Sequence, residues 1–358
     1  MSDTLGRAEE FLRSEIGPRA NDIDSDPEEL RGALRGLCDR SLMALRRPDE
    51  YGGPALGEAE FRQFQESVAR YSGSLAFLQT QHQSAGSMIA RSENSDLKSA
   101  YLPRMANGER LVGIGFSQLR RAGSPVMRAD RTHGGYVLQG TVPWITGWTF
   151  YPEFLIGATL PGGEAVFGIV PFTEQEGIRL SPPMKLAAME SALTVSGEFD
   201  GWLLRDELVA FVKPARWIKN NDMINITLQG HFALGCARAG LDILERAAES
   251  KPFPFIRDAY AALDVELNLC REATASAQPS AGEESTQERL AIRAWAIDLA
   301  VRCAHAAVAG SSGAANSLRH PAQRVYREAL VYTVSAQTPE IMEATLQRLV
   351  RNDSLSGV

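Results

Sequence analysis

The stretch Gly140-Thr-Val-Pro-Trp-Ile-Thr146 decides how this sequence divides, because it lies between strand-like segments in a chain otherwise dominated by helical patterns. Alternation of apolar and polar residues runs from Arg110 to about Val212. Turn signals interrupt it at His133-Gly-Gly135 and Pro161-Gly-Gly163. Alternation broken by such turns is typical of β-hairpins. We therefore expect an antiparallel β domain around this stretch.

Helical spacing of apolar residues flanks this β region on both sides. On the N-terminal side it runs from Thr4 to about Asn107, and it predicts helices at Glu58–Tyr71 and Leu75–Arg91. On the C-terminal side it resumes at Met223. Ser276–Gln287, rich in Ser, Ala, Gly and Glu, is expected to be an exposed connection between two helices.

The order of helices, strands and helices predicts an α+β protein in three parts. We expect an N-terminal α-helical domain over residues 1–109, a middle β domain over 110–215 and a C-terminal α-helical domain over 216–358. A chain of 358 residues is long enough to bury sizeable cores in such units.

Composition excludes several classes of protein. The net charge is -7 and Lys and Arg are scattered, whereas nucleic-acid binding requires a clustered basic surface. No apolar run approaches the roughly 18 residues that a membrane-spanning helix needs, and no secretory signal pattern is visible. The four cysteines are far apart and form no CxxC pair, which favours buried free thiols. We expect a cytoplasmic protein that binds neither nucleic acid nor membrane.

Several short motifs accompany the stretch quoted first. Arg47-Pro-Asp-Glu-Tyr-Gly-Gly53 follows the second helix, and Phe116-Ser-Gln118 precedes Ala122-Gly-Ser124 in the β region. Near the end, Gly310-Ser-Ser-Gly313 is followed by Thr338-Pro-Glu-Ile341. In this order and spacing, the motifs resemble those of the acyl-CoA dehydrogenase superfamily over nearly the whole chain.

The resemblance implies a fold, a cofactor and a substrate class. Members have an N-terminal helical domain, a middle antiparallel β domain and a C-terminal four-helix bundle that also mediates oligomerisation. The implied cofactor is FAD, with FMN as an alternative, and the implied substrate is a small molecule such as an acyl thioester. A homodimer or homotetramer is the implied assembly.

The resemblance also implies which residues bind the flavin. An isoalloxazine ring requires an aromatic wall together with hydroxyl and N–H donors, and Trp144 with Ser117 and Thr146 supplies these groups. Taken singly, such an indole is more commonly a core aromatic and such a threonine more commonly a turn residue, but their joint occurrence with the order of helices and strands favours the flavin interpretation. The expected cofactor-binding set is Phe116, Ser117, Gln118, Ser124, Trp144, Ile145, Thr146, Gly310, Gly313, Thr338 and Glu340.

The chain departs from the family at the catalytic base. Most members remove the α-proton of the thioester with a glutamate shortly before the last helix, and the matching position here is Ala336. A minority place the glutamate on the first helix of the bundle, where this chain has Asn225. Neither a methyl group nor a neutral amide accepts a proton, so the catalytic residue is unknown.

Two histidines on expected helices offer a substitute base, since imidazole titrates near neutral pH. His82 is the stronger candidate and His231 the weaker, although a buried histidine bonded to a carbonyl is the commoner situation for each. The sequence contains no nucleophile elbow, P-loop or metal-ligand cluster.

Three functions remain open. The first is a flavin-dependent oxidoreductase of acyl-CoA dehydrogenase type with an unusual base. The second is a flavin monooxygenase or oxidase on the same scaffold. The third is a non-catalytic protein that binds flavin or an acyl group.

Overall fold

The computed structural model describes residues 3–54, 56–277 and 283–350. It divides into two compact units. The first unit contains the residues up to Phe64 together with Ser74–Asn221, and the second contains Gln65–Gly73 and the residues from Asp222 onward. Along the chain, helices come first, a sheet follows and helices close the sequence, which confirms the expected α+β class.

The N-terminal helices follow the apolar spacing of the sequence. The third begins at a proline after Asp26, whose carboxylate accepts a hydrogen bond of 2.8 Å from the Glu28 N–H and so satisfies a free donor of the first turn. The helices are α1 (Asp3–Phe11), α2 (Ala20–Ser25), α3 (Pro27–Asp39), α4 (Glu58–Tyr71), α5 (Gly73–Ala90) and α6 (Ser95–Met105). Helix α4 has the predicted bounds, and α5 agrees with prediction to within two residues.

The middle of the chain forms one sheet of eight strands within the described residues, in the order β6-β7-β3-β2-β4-β5-β8 with β1 beside β4. The strands are β1 (Val112–Gly115), β2 (Met127–Thr132), β3 (Gly135–Thr146), β4 (Glu153–Thr159), β5 (Ala165–Pro171), β6 (Ile178–Leu180), β7 (Thr194–Arg205) and β8 (Val209–Lys213). Most neighbours are antiparallel, as expected. The exceptions are the parallel pairs of β4 with β1 and with β2.

Helices and strands of the first unit share one core. Tyr101 and Met105 of α6 pack in the same cluster as Val112, Phe116 and Phe167 of the sheet region. The face of the sheet that is covered in this way is therefore dry, and polar atoms that lie there need partners.

The second unit is a helical bundle, as the sequence predicts. Helix α8 packs against α9, α10 and α11, and α10 also packs against α12. A Cβ at Gly240 would lie 2.7 Å from the Cys303 carbonyl carbon, so glycine permits the close crossing of α8 and α10. The helices are α7 (Trp217–Ile224), α8 (Gly230–Ser250), α9 (Pro254–Ser276), α10 (Glu283–Ser311), α11 (Pro321–Val334) and α12 (Pro339–Leu349).

The expected connection Ser276–Gln287 is only partly correct. Residues 278–282 lie outside the described residues. From Glu283 onward the chain is already part of α10, because the polar Glu-Glu-Ser-Thr-Gln segment forms the first turns of that helix and leads into its apolar run.

Two further expectations concern cysteines and membranes. All four cysteines are buried free thiols, which confirms that prediction. Among the helices that the structure describes, none combines the length and apolarity required to cross a membrane.

Candidate functional site

The turn after β1 carries two buried polar atoms without protein partners. Ser117 and Gln118 begin a short 3₁₀ turn that packs against β3 and β4. The Gln118 Nε2 donates to the carbonyls of Gly157 at 2.8 Å and Gly115 at 3.3 Å, which fixes the amide. Its Oε1 and the Ser117 Oγ are buried, and neither has a hydrogen-bond partner among the residues that the structure describes. Such atoms usually find partners, so this turn is prepared for a polar ligand.

Trp144 lies in a bulge of β3. Val142 pairs with Gly197 and Ile145 with Val195, so Pro143 and Trp144 together face the single residue between them on β7. A bulge changes the direction in which a side chain points. The Trp144 side chain is 48% exposed and, among the described residues, makes no ring contact. The indole therefore presents an open aromatic surface rather than filling the core.

The residues that follow Trp144 face inward. Ile145 is fully buried, and the Thr146 Oγ1 lies 3.0 Å from the Thr194 Oγ1 across β3 and β7. The Thr146 hydroxyl therefore already has a protein partner. Gly140 opens the same stretch with φ +126°, and a Cβ there would lie 2.1 Å from the Val126 carbonyl oxygen, so only glycine fits.

The remaining expected residues of the β region divide by burial. Phe116 is buried and its ring meets Phe167 edge-on at 5.7 Å between centroids, so it belongs to the core under the turn. Ser124 lies in an exposed loop before β2, next to Gly123, whose φ is +93°. A loop open to solvent leaves the Ser124 backbone accessible.

His82 is a structural residue, which argues against its predicted role as a base. Its Nδ1 accepts a hydrogen bond of 3.0 Å from the Val112 N–H, and its Nε2 lies 2.9 Å from the Met105 carbonyl oxygen, to which it donates. Burial lowers the pKa of the imidazole from 6.5 to about 4. With both nitrogens occupied inside the protein, His82 has no position from which to accept a substrate proton.

Ala336 and Asn225, which the sequence resemblance matches to the family's two glutamate positions, lie in turns. Ala336 is exposed between α11 and α12 with φ +48°, a conformation that disfavours side chains with a Cβ. Asn225 was expected on the first helix of the bundle, which is wrong: it follows α7 in the turn that leads to α8. The α7 helix ends at Ile224, and the Asn225 N–H bonds back to the Asp222 carbonyl at 3.1 Å.

Most of the residues of the second unit that were expected to bind the cofactor have structural roles in helices. Thr338 caps α12 by accepting from the Ile341 N–H at 3.3 Å, and Glu340 lies in the first turn of that helix. Gly310 was expected in a link but lies inside α10, where a Cβ would meet Leu244 Cδ1 at 2.7 Å. Close packing therefore accounts for Gly310. Gly313 is exposed in the following 3₁₀ turn with open space around it.

His231 is part of a buried polar cluster. The Glu66 Oε2 lies 3.6 Å from its Nδ1, and the Glu66 Oε1 accepts from the Arg271 Nε at 2.7 Å. The nearby imidazole and guanidinium lower the pKa of the Glu66 carboxyl against the opposing effect of burial. No sequence pattern indicates Glu66 as a member of this cluster, because its partners lie on two helices that are distant along the chain.

Arg293 is the functional candidate that the sequence prediction missed. Its side chain on α10 is 1% exposed, and its Nη2 donates to the Ser335 carbonyl at 3.3 Å. Its Nε and Nη1 are buried without a hydrogen-bond partner. An arginine inside the apolar run Leu290–Ala300 was the available signal, since such residues are rarely buried unpaired.

In the described ranges, no group of histidine, cysteine or carboxylate side chains is arranged to hold a metal ion. The polar groups described above lie in two separate places, a turn beside β3 and the interior of the bundle.

Comparisons with known proteins agree with these structural features. A family model described as acyl-CoA dehydrogenase, N-terminal domain, matches residues 3–109, and one described as acyl-CoA dehydrogenase, C-terminal domain, matches residues 227–350. A mitochondrial isovaleryl-CoA dehydrogenase of Solanum tuberosum is 24% identical over 95% of this chain and 87% of its own length. The probable acyl-CoA dehydrogenase YngJ of Bacillus subtilis is 22% identical over 95% and 94%.

Solved structures show the same fold. A glutaryl-coenzyme A dehydrogenase in complex with glutaryl-CoA superposes with a TM-score of 0.81 at 19% identity, covering 98% of this chain and 96% of that chain. An acyl-CoA dehydrogenase from Bacillus anthracis in complex with FAD gives a TM-score of 0.80 at 19% identity, covering 98% and 67%. Matched at both ends by models of one family and along its length by relatives, the chain belongs to the acyl-CoA dehydrogenase superfamily.

Proposed function

We propose that this protein is an FAD-dependent oxidoreductase that acts on an acyl thioester. Membership of the superfamily supports the reaction class, and the neighbours in complex with FAD and with glutaryl-CoA support the cofactor and the kind of substrate. The observation that carries the proposal is the pair of unpartnered buried atoms, Ser117 Oγ and Gln118 Oε1, on the turn beside β3.

The residues of this turn suit a flavin. The Ser117 hydroxyl is free to donate to or accept from the polar edge of the ring, and Gln118 holds its Oε1 ready because its amide nitrogen is tied to two carbonyls. The exposed Trp144 indole offers an aromatic face of the kind that a flat ring requires. When bound, FAD supplies the two-electron acceptor for oxidation of the acyl chain.

The proton acceptor is not at either of the family's usual positions. Ala336 has no acceptor atom, Asn225 carries a neutral amide, and both His82 nitrogens are bonded to the protein. This lack of a base favours a second candidate, an oxidase or monooxygenase on the same scaffold whose flavin takes its electrons from a donor other than a thioester, because such a reduction removes no α-proton from a thioester.

The two candidates and the non-catalytic alternative are separated by one set of anaerobic measurements. Purified protein with added FAD is mixed with a panel of acyl-CoA thioesters, and separate samples are photoreduced and mixed with oxygen. Bleaching of the flavin by a thioester supports the dehydrogenase. Rapid oxygen consumption without bleaching by any thioester supports the oxidase or monooxygenase. A colourless protein that takes up no FAD contradicts both and leaves the non-catalytic protein.

The placement of Ala336 is tested by the variant Ala336→Glu. A carboxylate there should create or raise bleaching by a thioester, since a carboxylate beside the flavin is the family's base. Ala336→Gln is the matched control, because it adds similar bulk without a base. If neither variant gains activity with any thioester in the panel, the assignment of position 336 is wrong.

The assembly that we propose is a homodimer or homotetramer formed through the second unit. Tyr326, Leu330 and Val334 repeat at intervals of four along α11 and are 39%, 54% and 56% exposed, and α12 exposes Met342 and Leu346 as well. Exposed apolar rows of this kind mark protein interfaces. Light scattering should give a multiple of the 39.0 kDa chain, and Leu330→Arg should reduce it, whereas Leu203→Arg in the first unit should not. A monomer mass for the unmodified chain contradicts the proposal.

A cytoplasmic location stays a prediction. The relatives named above are mitochondrial or bacterial proteins.

A further inference from the structure

Arg293 is a buried cation that has no carboxylate partner in the part of the chain that the structure describes. Its only hydrogen bond within the described residues is the one from Nη2 to the Ser335 carbonyl, and Nε and Nη1 are left with open donors. Burial alone lowers the pKa of the guanidinium from its ordinary value to about 9, so the group stays charged at neutral pH. An unpaired charge in a protein interior is strongly unfavourable unless a counter-ion reaches it.

A second positive feature lies beside this guanidinium. An idealised Cβ on Gly230, the first residue of α8, would lie 4.0 Å from Arg293 Nη1. The 21-residue α8 has no side-chain cap at this end; its first N–H, that of Gly230, donates to the Thr227 carbonyl at 2.9 Å, and the positive end of the helix dipole lies there. The start of a helix and a buried arginine therefore converge on one place, and both favour an anion.

The surroundings of this place are small and apolar. The same idealised Cβ would lie 3.7 Å from Thr274 Cγ2 and 3.9 Å from Ala296 Cβ. The Thr274 hydroxyl does not compete for the arginine, because it donates to the Cys270 carbonyl at 2.8 Å. The Ser335 carbonyl accepts the hydrogen bond from Nη2, and the next residue, Ala336, is exposed to solvent. The guanidinium therefore bonds to a residue adjacent in sequence to a solvent-exposed turn.

We propose that Arg293 and the N-terminus of α8 form a carboxylate-binding site inside the helical bundle. A planar guanidinium matches a planar carboxylate, and the single formal charge of Arg293 balances a monoanion. A phosphate dianion would leave excess negative charge in an apolar setting. The site is independent of the flavin proposal, because it concerns binding of an anion and no redox step.

The test uses the purified full-length protein with acetate as the probe. Urea unfolding and calorimetric titration are followed at constant ionic strength while acetate replaces chloride, with inorganic phosphate in a parallel series. Acetate should bind saturably and raise the unfolding midpoint, as expected for a ligand of the folded state alone. Phosphate and chloride should have little effect at equal ionic strength. A response to phosphate that equals or exceeds the acetate response contradicts the carboxylate assignment.

Two substitutions decide whether Arg293 is responsible. Arg293→Met removes the charge at similar volume and should weaken acetate binding by at least about tenfold, since a charge-assisted hydrogen bond is lost. Arg293→Lys should keep part of the binding. Equal acetate responses in Arg293→Met and the unmodified protein, or no acetate response in either, would overturn the proposal.

Arg289, one turn earlier on α10, is the matched control. It is 5% exposed, but its Nη1 donates to the Met223 carbonyl at 2.9 Å, its Nε to the Ser285 carbonyl at 3.2 Å and its Nη2 to the Thr286 Oγ1 at 3.3 Å. Arg289→Met should therefore lower stability while leaving the acetate response unchanged. Loss of that response in this variant as well would show that the effect comes from general loosening of the bundle, and the proposal would fail.

Discussion

Two buried polar regions, one in each compact unit, are built on opposite principles. Around His82 in the first unit, neutral groups bond to backbone atoms: the imidazole joins Val112 to Met105, and Gln83 joins the carbonyl of Leu42 to the N–H of Leu45. The second unit also buries charged groups: Arg324 pairs with Glu328, whereas Arg293 has no ion pair among the described residues. Buried neutral groups hold segments of the chain together by hydrogen bonds, whereas a buried charged group is unfavourable unless an opposite charge lies beside it.

The largest effect should come from breaking the charged pair. Glu328 is fully buried and accepts from the Arg324 Nη1 at 2.7 Å and from the Gly73 N–H at 3.1 Å. Arg324→Met would strand the carboxylate, and we expect the free energy of unfolding to fall by about 3–5 kcal/mol in urea titrations. The double variant Arg324→Met/Glu328→Gln should recover part of the loss. If Arg324→Met alone is as stable as the unmodified chain, the two regions do not differ in the way proposed here.

The His82 region should show its neutral character in the pH dependence of stability. The folded-state pKa of about 4 lies below the ordinary value of 6.5, so the unfolded chain binds the proton more readily. The contribution of His82 to the free energy of unfolding should therefore be fully present above pH 6.5. About 3 kcal/mol of it should be lost as the pH drops to 4, and His82 should cause no further loss at lower pH.

The variant His82→Leu isolates this contribution. It removes the titrating group, so the slope between pH 6.5 and 4 should flatten. At pH 7 it should be less stable by about 2–4 kcal/mol, because the Val112 N–H and the Met105 carbonyl lose their partner. His133→Gln, in the exposed hairpin turn, serves as the control and should keep the slope. An unchanged slope in His82→Leu would assign the pH dependence to other groups.

Trp144→Ala tests whether the exposed, uncharged indole of the first unit contributes to flavin binding. The side chain is half exposed, so stability should change little, whereas flavin binding should weaken by about 1–3 kcal/mol through loss of an aromatic contact. Fluorescence titration with FAD measures this. Trp202→Ala on β7 is the matched control. Equal FAD affinity in the Trp144 variant and the unmodified protein would remove the indole from the site.

The smallest expected effect is a gain in stability rather than a loss, and it therefore distinguishes Arg293 from Arg324. Because Arg293 has no carboxylate partner, Arg293→Met should raise the free energy of unfolding by about 1–2 kcal/mol when no carboxylate is present, whereas Arg324→Met lowers it. Urea titrations in chloride buffer compare the two. Destabilisation by both substitutions would mean that Arg293 has a partner after all.

The broad fold was predictable because hydrophobic periodicity records which face of each element is buried. Glu58–Tyr71 was predicted to the residue, since acidic side chains open it and its apolar spacing is regular. The polar start of α10 was misjudged for the opposite reason: Glu283 and its neighbours have helix-forming side chains but no apolar stripe. The parallel pairing of β1 with β4 depends on contacts between distant segments, which alternation alone does not encode.

The candidate site was predictable only in part. The motifs pointed to Ser117, Gln118 and Trp144, and the structure shows unpartnered atoms or exposed aromatic surface at all three. Burial and pairing of a charge are properties of three-dimensional packing, so the isolation of Arg293 and the full occupation of His82 were hidden. An arginine within an apolar helix was visible in the sequence, but its lack of a partner was not.

The extra residue in β3 shifts the register of the strand and so determines which side chains face each side of the sheet. Between Val142 and Ile145 two residues face one on β7, so deletion of Pro143 would restore one-to-one pairing and rotate the indole out of its present direction without removing any flanking pair. A single codon therefore separates a strand that displays an outward aromatic platform from one that does not. Descendants of this chain therefore have a short genetic route to loss of this exposed aromatic surface on an intact sheet.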